Sequence, residues 1–511
     1  MNFEEIVAPA YQFKGESIFL GKAVHDGSVV PACRVNVPLK TMNRHGLIAG
    51  ATGTGKTKTL QFLAESLSDA SVPVFMMDIK GDLSGVGAAG VLNDKIAERC
   101  RLLELDYKPT AYPVEFLTLS DEPGTRMRAT VSEFGPVLFS KILGLNDTQE
   151  GIVSMLFKYC DDHQLPLLDL KDMVRVLQFI SNEGKQELKE AYGNISTQST
   201  GTILRKIIEL QQQKADIFFG EKSFEVDDLM RISDDGRGVL SIVRVADLQD
   251  RPKLFSTFML QLLAELYGSL PEAGDLDKPK LVMFIDEAHL IFQDATDALL
   301  QQLETVIKLI RSKGVGVFFV TQNPNDIPQS VLSQLGLKVQ HALRAFTAKD
   351  RDDIRKVSDN YPETTFYKTE ELITSLGIGE AIVTLLNEKG IPTPLVHTMI
   401  CPPRSRMDIL QAPEIQAIVG ASRLASKYNV PVDSKSAYEM LNEKLQQASQ
   451  TGNAAASGTK KGEEAKGTLE NILDSPIARQ VGRTAASILT RSLLGVLGLG
   501  GSSRSKKKSW F

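Results

Sequence analysis

The sequence predicts an α/β fold with a mostly parallel sheet, and three observations carry this prediction. Several runs of strand length are almost continuously apolar and rich in β-branched residues, which is typical of strands covered on both faces. Between most of them lie stretches in which apolar residues recur at the spacing of an amphipathic helix. A glycine-rich loop, Gly50–Thr57, joins the first of these strands to the first of these helices. Strands that alternate with helices in this way form a parallel sheet.

The predicted strands and helices follow one another along the chain. Strands are expected at Leu47–Ala49, Val74–Ile79, Val114–Leu119, Val239–Val245, Leu281–Asp286, Val315–Thr321 and Ala381–Leu386. The most regular helical patterns cover Thr57–Ser68, Pro252–Tyr267 and Asp297–Ser312.

The pattern changes twice within this core. We expect a short β segment at residues 1–40, followed by a core in two parts, at 41–123 and 237–400. Between the two parts, residues 124–236 carry apolar side chains at helical spacing with few β-branched runs. This segment is therefore predicted to be an all-helical insertion.

The C-terminal region differs in composition from the core. We expect a helical segment at 401–446, then a linker at 447–475 that is too polar to bury a core, and a flexible basic tail at 476–511. From Ser475 onward there are seven basic and no acidic residues, so the rest of the chain carries a net charge of -12, against -5 for the whole. A helix that docks a protein partner, a membrane-surface helix and a solvated tail all fit this amphipathic pattern.

Composition excludes several classes of protein. With 42% hydrophobic residues the chain is not disordered, and with 58 basic against 63 acidic residues it is not a polyanion binder as a whole. The four cysteines form no C-x-x-C pair, so neither a zinc site nor a disulfide framework is predicted, and a reducing cytoplasm is expected. The first residues include Glu4 and Glu5 and lack the basic start of a secretory signal, and no apolar run is long enough to span a membrane.

The glycine-rich loop carries the sharpest chemical signal. Its residues, Gly50, Ala51, Thr52, Gly53, Thr54, Gly55, Lys56 and Thr57, match the pattern GxxxxGK[ST]. Glycines allow a tight turn whose backbone N–H groups point at phosphate oxygens, and the following helix adds its dipole. Lys56 is expected to neutralise the phosphates and Thr57 to bind Mg²⁺. We call Gly50–Thr57 the phosphate loop.

Two acids end the apolar run Leu281–Ile285. Asp286 is placed to hold the Mg²⁺ through water, and Glu287 to orient and deprotonate a water molecule. A water nucleophile favours a nucleoside triphosphate hydrolase over a small-molecule kinase.

Other polar residues are candidates with open alternatives. Gln322 follows the next strand and either senses the γ-phosphate and the attacking water or belongs to a simple turn. Asp78 ends an earlier strand and either supports the metal site or caps its own loop. Arg311 and Arg344 are candidates for an arginine that acts across a subunit boundary. His289 is expected to be a packed or hydrogen-bonded residue.

Four runs together resemble a known family. Arg44–Thr57, Met77–Asp82, Phe284–His289 and Val320–Pro324 occur in the order found in the HerA/FtsK superfamily of P-loop ATPases, and more narrowly in the bacterial YjgR-type HerA-like proteins. The resemblance covers about residues 15 to 400.

The resemblance implies a RecA-like ATPase core that assembles as a hexameric ring, with ATP and Mg²⁺ between subunits. It gives phosphate-loop roles to Lys56 and Thr57, metal and base roles to Asp286 and Glu287, and the sensor role to Gln322. Members of the family pump or unwind double-stranded DNA. The alternative is an ATPase that remodels protein partners, with the C-terminal tail as its docking segment.

Overall fold

A twelve-stranded sheet dominates the part of the chain that the computed structural model describes, which is residues 2–245, 252–292, 297–432 and 434–455. The strands are β1 (Ser17–His25), β2 (Ser28–Pro38), β3 (Gly46–Ala49), β4 (Val74–Asp78), β5 (Val114–Thr118), β6 (Thr125–Arg126), β7 (Leu240–Arg244), β8 (Leu281–Ile285), β9 (Val315–Thr321), β10 (Leu337–Gln340), β11 (Glu380–Thr384) and β12 (Val396–Ile400). Their order across the sheet is β2-β1-β12-β11-β10-β3-β9-β8-β4-β7-β5-β6.

The sheet is parallel from β10 to β6 and antiparallel from β2 to β10. Every residue of β3, β4, β8 and β9 is buried, which explains why these strands read as continuous apolar runs. The prediction of an α/β fold with a mostly parallel sheet is confirmed.

The helices lie between the strands and in one long segment without core strands. They are α1 (Phe3–Ala10), α2 (Lys56–Asp69), α3 (Asp94–Leu103), α4 (Val131–Leu143), α5 (Asp147–Asp162), α6 (Leu170–Ser181), α7 (Lys185–Tyr192), α8 (Thr197–Gln212), α9 (Pro252–Ser269), α10 (His289–Phe292), α11 (Asp297–Ile310), α12 (Gln329–Leu332), α13 (Ala348–Ser358), α14 (Thr369–Ser375), α15 (Ala412–Ala421), α16 (Arg423–Tyr428) and α17 (Ala437–Ala455).

The chain forms two compact units. Of the described residues, the first unit contains 2–127 and those of 224–430 and holds the sheet, and the second contains 128–223 and those of 431–455. In the second unit, helices α4 to α8 occupy most of the segment expected to be a helical insertion. There α17 packs against α6, where the Tyr438 backbone N–H donates to Asp172 at 2.8 Å.

The described residues include only part of the C-terminal segments predicted from the sequence. Helix α17 continues through Ala455 and so includes the first residues of the predicted linker at 447–475. The remainder of that linker and the predicted tail at 476–511 lie outside the described residues. Within the described ranges, no helix has the length and apolarity that crossing a membrane requires.

The sheet positions the candidate site by bringing strand ends together. The phosphate loop follows β3, the two acids follow β8, and Gln322 follows β9. Since β3, β9 and β8 are parallel neighbours, these segments leave the sheet at one edge.

Candidate functional site

The phosphate loop connects β3 to α2 through conformations that require glycine. Gly50, Gly53 and Gly55 have φ angles of 152°, 78° and 116°, where residues with a side chain are strained. A Cβ atom on Gly50 would also lie 2.6 Å from Cβ of His341. The loop ends at the amino terminus of α2, where free backbone N–H groups and the helix dipole favour an anion.

Lys56 and Thr57 open α2, as the motif predicts. Lys56 is buried, and its Nζ donates to the Ala51 carbonyl oxygen of the loop at 3.1 Å. Burial lowers the pKa of Lys56, and the charge of Lys80 lowers it further. The Thr57 hydroxyl donates to Asp82 Oδ2 at 3.2 Å.

Asp286 and Glu287 directly follow β8, and each is only 5% exposed. Burial, followed by the charge of Glu287, raises the pKa of Asp286 to about 7. Glu287 adopts a left-handed backbone conformation with φ 46°, a strained geometry that clusters at functional sites. The turn is held against β9, because the Ala288 N–H donates to the Val320 carbonyl at 2.9 Å.

Among the residues that the structure describes, three side chains lie against the Glu287 carboxylate. Lys80 forms an ion pair with Oε1, and Gln322 Nε2 donates to the same oxygen at 3.3 Å. His289 Nδ1 lies 3.3 Å from Oε2. Burial is the strongest single influence and opposes the charge of Glu287, but the contacts with Lys80, Gln322 and His289 together outweigh it and hold the pKa of Glu287 below its usual range. The carboxylate is therefore ionised at neutral pH, as a general base must be.

Gln322 links this carboxylate to the phosphate loop. Its Oε1 accepts a hydrogen bond from the Thr52 hydroxyl at 3.3 Å, while its Nε2 reaches Glu287. The neighbouring Asn323 makes the local turn instead, since its side chain accepts the Asn325 N–H at 3.0 Å. The sensor role of Gln322 stays a prediction.

Asp78 caps its own loop, which is one of the two alternatives predicted for it; the other was support of the metal site. Its carboxylate accepts the backbone N–H groups of Gly81, Asp82 and Leu83 at 2.7, 3.1 and 3.1 Å. Burial and then the charge of Asp82 raise the pKa of Asp78 to about 6. The oxygens face the loop that carries Lys80, so Asp78 shapes that loop.

Three residues of the site were missed by the sequence reasoning. Lys80 and Asp82 stand directly after a buried strand, a position that could have marked them. His341 had no such signal, yet its buried ring lies against the phosphate loop, with Nε2 2.9 Å from the Thr59 hydroxyl and Nδ1 2.8 Å from the Glu380 carbonyl. Burial lowers the pKa of His341 to about 4.

The two candidate arginines lie at different edges of the sheet. Arg311 precedes the amino end of β9, and its charge acts on Arg44 and His45, just before β3. That edge is opposite the phosphate loop. Arg344 follows β10 at the same edge as the loop and donates to the Thr374 carbonyl at 3.1 Å.

The oxygen atoms near the loop suit Mg²⁺. Among the described residues no group of three or more His, Cys, Asp or Glu side chains could hold a metal unaided. Mg²⁺ instead takes one or two carboxylates together with substrate phosphates and water. The Thr57 hydroxyl and the Asp286 carboxylate provide oxygens of this type, and the buried Oδ1 of Asp82 has no hydrogen-bond partner in the part of the chain that the structure describes.

Comparison with curated proteins gives relatives over most of the chain. The DNA double-strand break repair helicase HerA of Sulfolobus acidocaldarius is 22% identical over 391 residues, which cover 75% of this chain and 69% of that protein. The protein of the same description from Sulfurisphaera tokodaii is 23% identical over 376 residues, or 73% of this chain and 67% of that protein.

Solved structures share the fold. The bacterial conjugative coupling protein TrwBΔN70 gives a TM-score of 0.51 at 15% identity, covering 80% of this chain and 94% of that one. Plasmid coupling protein TrwB in complex with ADP and Mg²⁺ gives a TM-score of 0.50 at 16% identity. The match covers 78% of this chain and 99% of that one. The RecA-like core implied by the resemblance is in accord with these folds.

A family model described as helicase HerA-like C-terminal matches residues 27–504. The match includes the phosphate loop, both acids and Gln322, and it confirms the resemblance that the four motifs indicated. This protein belongs to the helicase HerA-like C-terminal family.

Proposed function

We propose that this protein is an ATP-hydrolysing motor of the HerA/FtsK type that translocates or unwinds double-stranded DNA as a homo-oligomeric, hexameric ring. The hydrolase activity is inferred from the surroundings of Glu287. An ionised, buried carboxylate lies next to Asp286 and is bonded to Gln322, which is itself bonded to the phosphate loop. This arrangement suits the activation of water beside a bound phosphate.

The residues divide the chemistry among them. Lys56 and the loop N–H groups bind the phosphates, while Thr57 and Asp286 would hold Mg²⁺, which supplies charge neutralisation when it is bound. Glu287 orients the attacking water and takes its proton. Gln322 connects the base to Thr52, so that a change at the phosphate can be passed to β9.

Arg311 is the better candidate for action in trans. It lies at the sheet edge opposite its own phosphate loop, so it reaches a nucleotide only in a neighbouring subunit. Arg344 lies on the side of its own loop and is bonded within its own chain. In a ring with nucleotide between subunits, the Arg311 edge of one subunit would face the phosphate loop of the next.

The DNA part of the proposal is supported by the two relatives reported above, both of which are described as DNA double-strand break repair helicases. The net charge of the chain without its last 37 residues is strongly negative, so DNA contact is assigned to the basic tail or to the inner surface of a ring. A cytoplasmic location is proposed on the cysteine pattern alone.

Nucleotide turnover with and without duplex DNA tests this function. We expect turnover to rise on addition of duplex at low salt and the stimulation to fall as salt increases, because phosphate contacts release counterions. Turnover that ignores DNA at every salt concentration would contradict a DNA motor and would favour remodelling of protein partners.

Two variants test the site. Lys56→Ala is expected to lose nucleotide binding, and Glu287→Gln to keep binding while turnover falls by about 10²–10⁴-fold. Equal turnover in Glu287→Gln and wild type would remove Glu287 from the role of base. The mass in solution with a non-hydrolysable ATP analogue tests the ring, and a strict monomer would contradict it.

A further inference from the structure

We propose that Ile378 packs against the face of the purine base of a nucleotide bound at the phosphate loop, and that it does so for adenine and guanine alike. Ile378 belongs to residues 377–379, which directly precede β11 and which we call the 377–379 turn. This inference rests on the proposed nucleotide site and adds to it a contact for the nucleoside.

The two sides of the phosphate loop face different parts of the sheet. On one side, beyond β9 and β8, Gln322 is bonded to Thr52 and to Glu287, so the γ-phosphate is expected there. On the other side β3 pairs with β10, and β10 pairs with β11. A nucleotide whose γ-phosphate points towards β8 directs its nucleoside the other way along the edge of the sheet, to the side of β10 and β11.

The 377–379 turn lies on that second side of the loop. Because β11 runs antiparallel to β10, the residues before β11 emerge at the edge where β10 and β3 end. The Gly379 N–H donates to the Thr54 carbonyl at 3.0 Å. A Cβ atom on Gly55 would lie 3.1 Å from the Gly379 nitrogen. The turn is therefore in direct contact with the second half of the phosphate loop.

Arg99 fixes the main chain of the turn. Its guanidinium donates to the carbonyl oxygens of Ile378 and Gly379 at 2.7 and 2.8 Å, and to that of Ile400 in β12 at 3.1 Å. The Ile378 side chain is nevertheless 73% exposed. A large apolar side chain on a fixed main chain is prepared for a ligand, because little freedom of the turn is lost on binding.

A purine base suits this side chain. The faces of adenine and guanine are similar flat surfaces, whereas their hydrogen-bonding groups lie at the edges. Ile378 has no polar group in its side chain, so it contacts the face of either base by dispersion and does not read its edge. The contact also removes the exposed apolar surface of Ile378 from water.

Calorimetric titration of the full chain in the presence of Mg²⁺ separates the base from the phosphates. The ligands are non-hydrolysable analogues of ATP and GTP, and inorganic triphosphate, which carries no base. In Ile378→Ser we expect the Kd of both nucleotide analogues to rise about fivefold or more, since an apolar contact is lost, and the Kd of inorganic triphosphate to stay unchanged. Ile378→Leu keeps an apolar side chain and should bind both analogues nearly as the wild type does.

Ile391→Ser is the matched control. Ile391 is 56% exposed and lies between β11 and β12, at the edge of the sheet opposite the phosphate loop. We expect this variant to bind all three ligands as the wild type does. An equal loss of affinity for all three ligands in Ile378→Ser would mean that Ile378 only supports the loop, and a loss for one nucleotide alone would mean that the base edge is read. Either result would overturn the proposal.

A contact between copies of the chain is the competing role for an exposed apolar side chain. The mass in solution, measured with the ATP analogue for wild type and Ile378→Ser, distinguishes the two roles. We expect the same mass for both proteins. A lower mass in the variant with unchanged nucleotide affinities would assign Ile378 to a subunit contact and would contradict the contact with the base.

The failure of this inference is distinguishable from the failure of the proposed function. A wild type that binds neither inorganic triphosphate nor a nucleotide would refute the nucleotide site and with it the role of Ile378. A wild type that binds and hydrolyses ATP, together with an Ile378→Ser variant of unchanged nucleotide affinities, would refute the role of Ile378 alone.

Discussion

His341 is held neutral against the phosphate loop, and this makes the stability of the fold fall as the pH is lowered. The Glu380 carbonyl can only accept, so Nδ1 carries the proton and Nε2 accepts from the Thr59 hydroxyl. Burial lowers the pKa of His341 from 6.5 to about 4. Between these two values the unfolded chain binds a proton that the folded chain does not.

The size of this effect follows from the two pKa values. Stability from His341 is fully present above the unfolded pKa and is lost as the pH falls through 6.5 towards the folded value of about 4. Between pH 7 and pH 5 the linkage integral gives a loss of about 2 kcal/mol. His45 is buried with the same depressed pKa of about 4, so it contributes a second loss of similar size.

Urea unfolding at pH 7 and pH 5, followed by far-UV circular dichroism, measures this loss. The quantity of interest is the change in unfolding free energy between the two pH values within each variant, which cancels the direct cost of each substitution. We expect His341→Gln to lose about 2 kcal/mol less than wild type over this interval, and His45→Gln likewise. An equal loss in wild type and His341→Gln would refute the neutral, buried histidine.

Three further predictions concern other parts of the molecule. Glu65→Ala removes the acceptor for two backbone N–H groups and a hydroxyl at residues 404–405, so it should destabilise the protein by about 2–4 kcal/mol in urea unfolding, and an unchanged midpoint would contradict this. Gln322→Ala should lower the turnover number by about tenfold or more without weakening nucleotide binding, whereas a raised dissociation constant would assign it to binding. Arg311→Ala should be inactive alone but partly active when mixed with inactive Glu287→Gln, because a ring interface can then combine one intact base with one intact arginine. No recovery of turnover in the mixture would argue against action in trans.

Much of the site could be predicted because its chemistry is local in sequence. The phosphate loop needs glycines, a lysine and a threonine at fixed spacing, and the acids follow a strand whose five residues are all buried. Most core strands could be predicted for a similar reason, since runs such as β8 (LVMFI) and β9 (VGVFFVT) are almost continuously apolar. The antiparallel half was harder: β10 has four residues, LKVQ, and alternates, while β11 is antiparallel to both of its neighbours despite its apolar run.

The contact between Lys80 and Glu287 depends on strand order, which no single motif contains. β4 and β8 are far apart in the chain but adjacent and parallel in the sheet, with Met77 opposite Ile285. Lys80 lies three residues beyond Met77, and Glu287 lies two residues beyond Ile285. Both follow their strands at the same edge of the sheet, and there the lysine contacts the glutamate.

The same register explains Gln322. β9 lies on the other side of β8, with Phe319 opposite Ile285, so the residue three positions beyond Phe319 also emerges at that edge. The base is thus approached from both neighbouring strands, by a cation from β4 and an amide from β9. A motif names residues that bind a common ligand, but the order of the strands decides which side chains surround the glutamate.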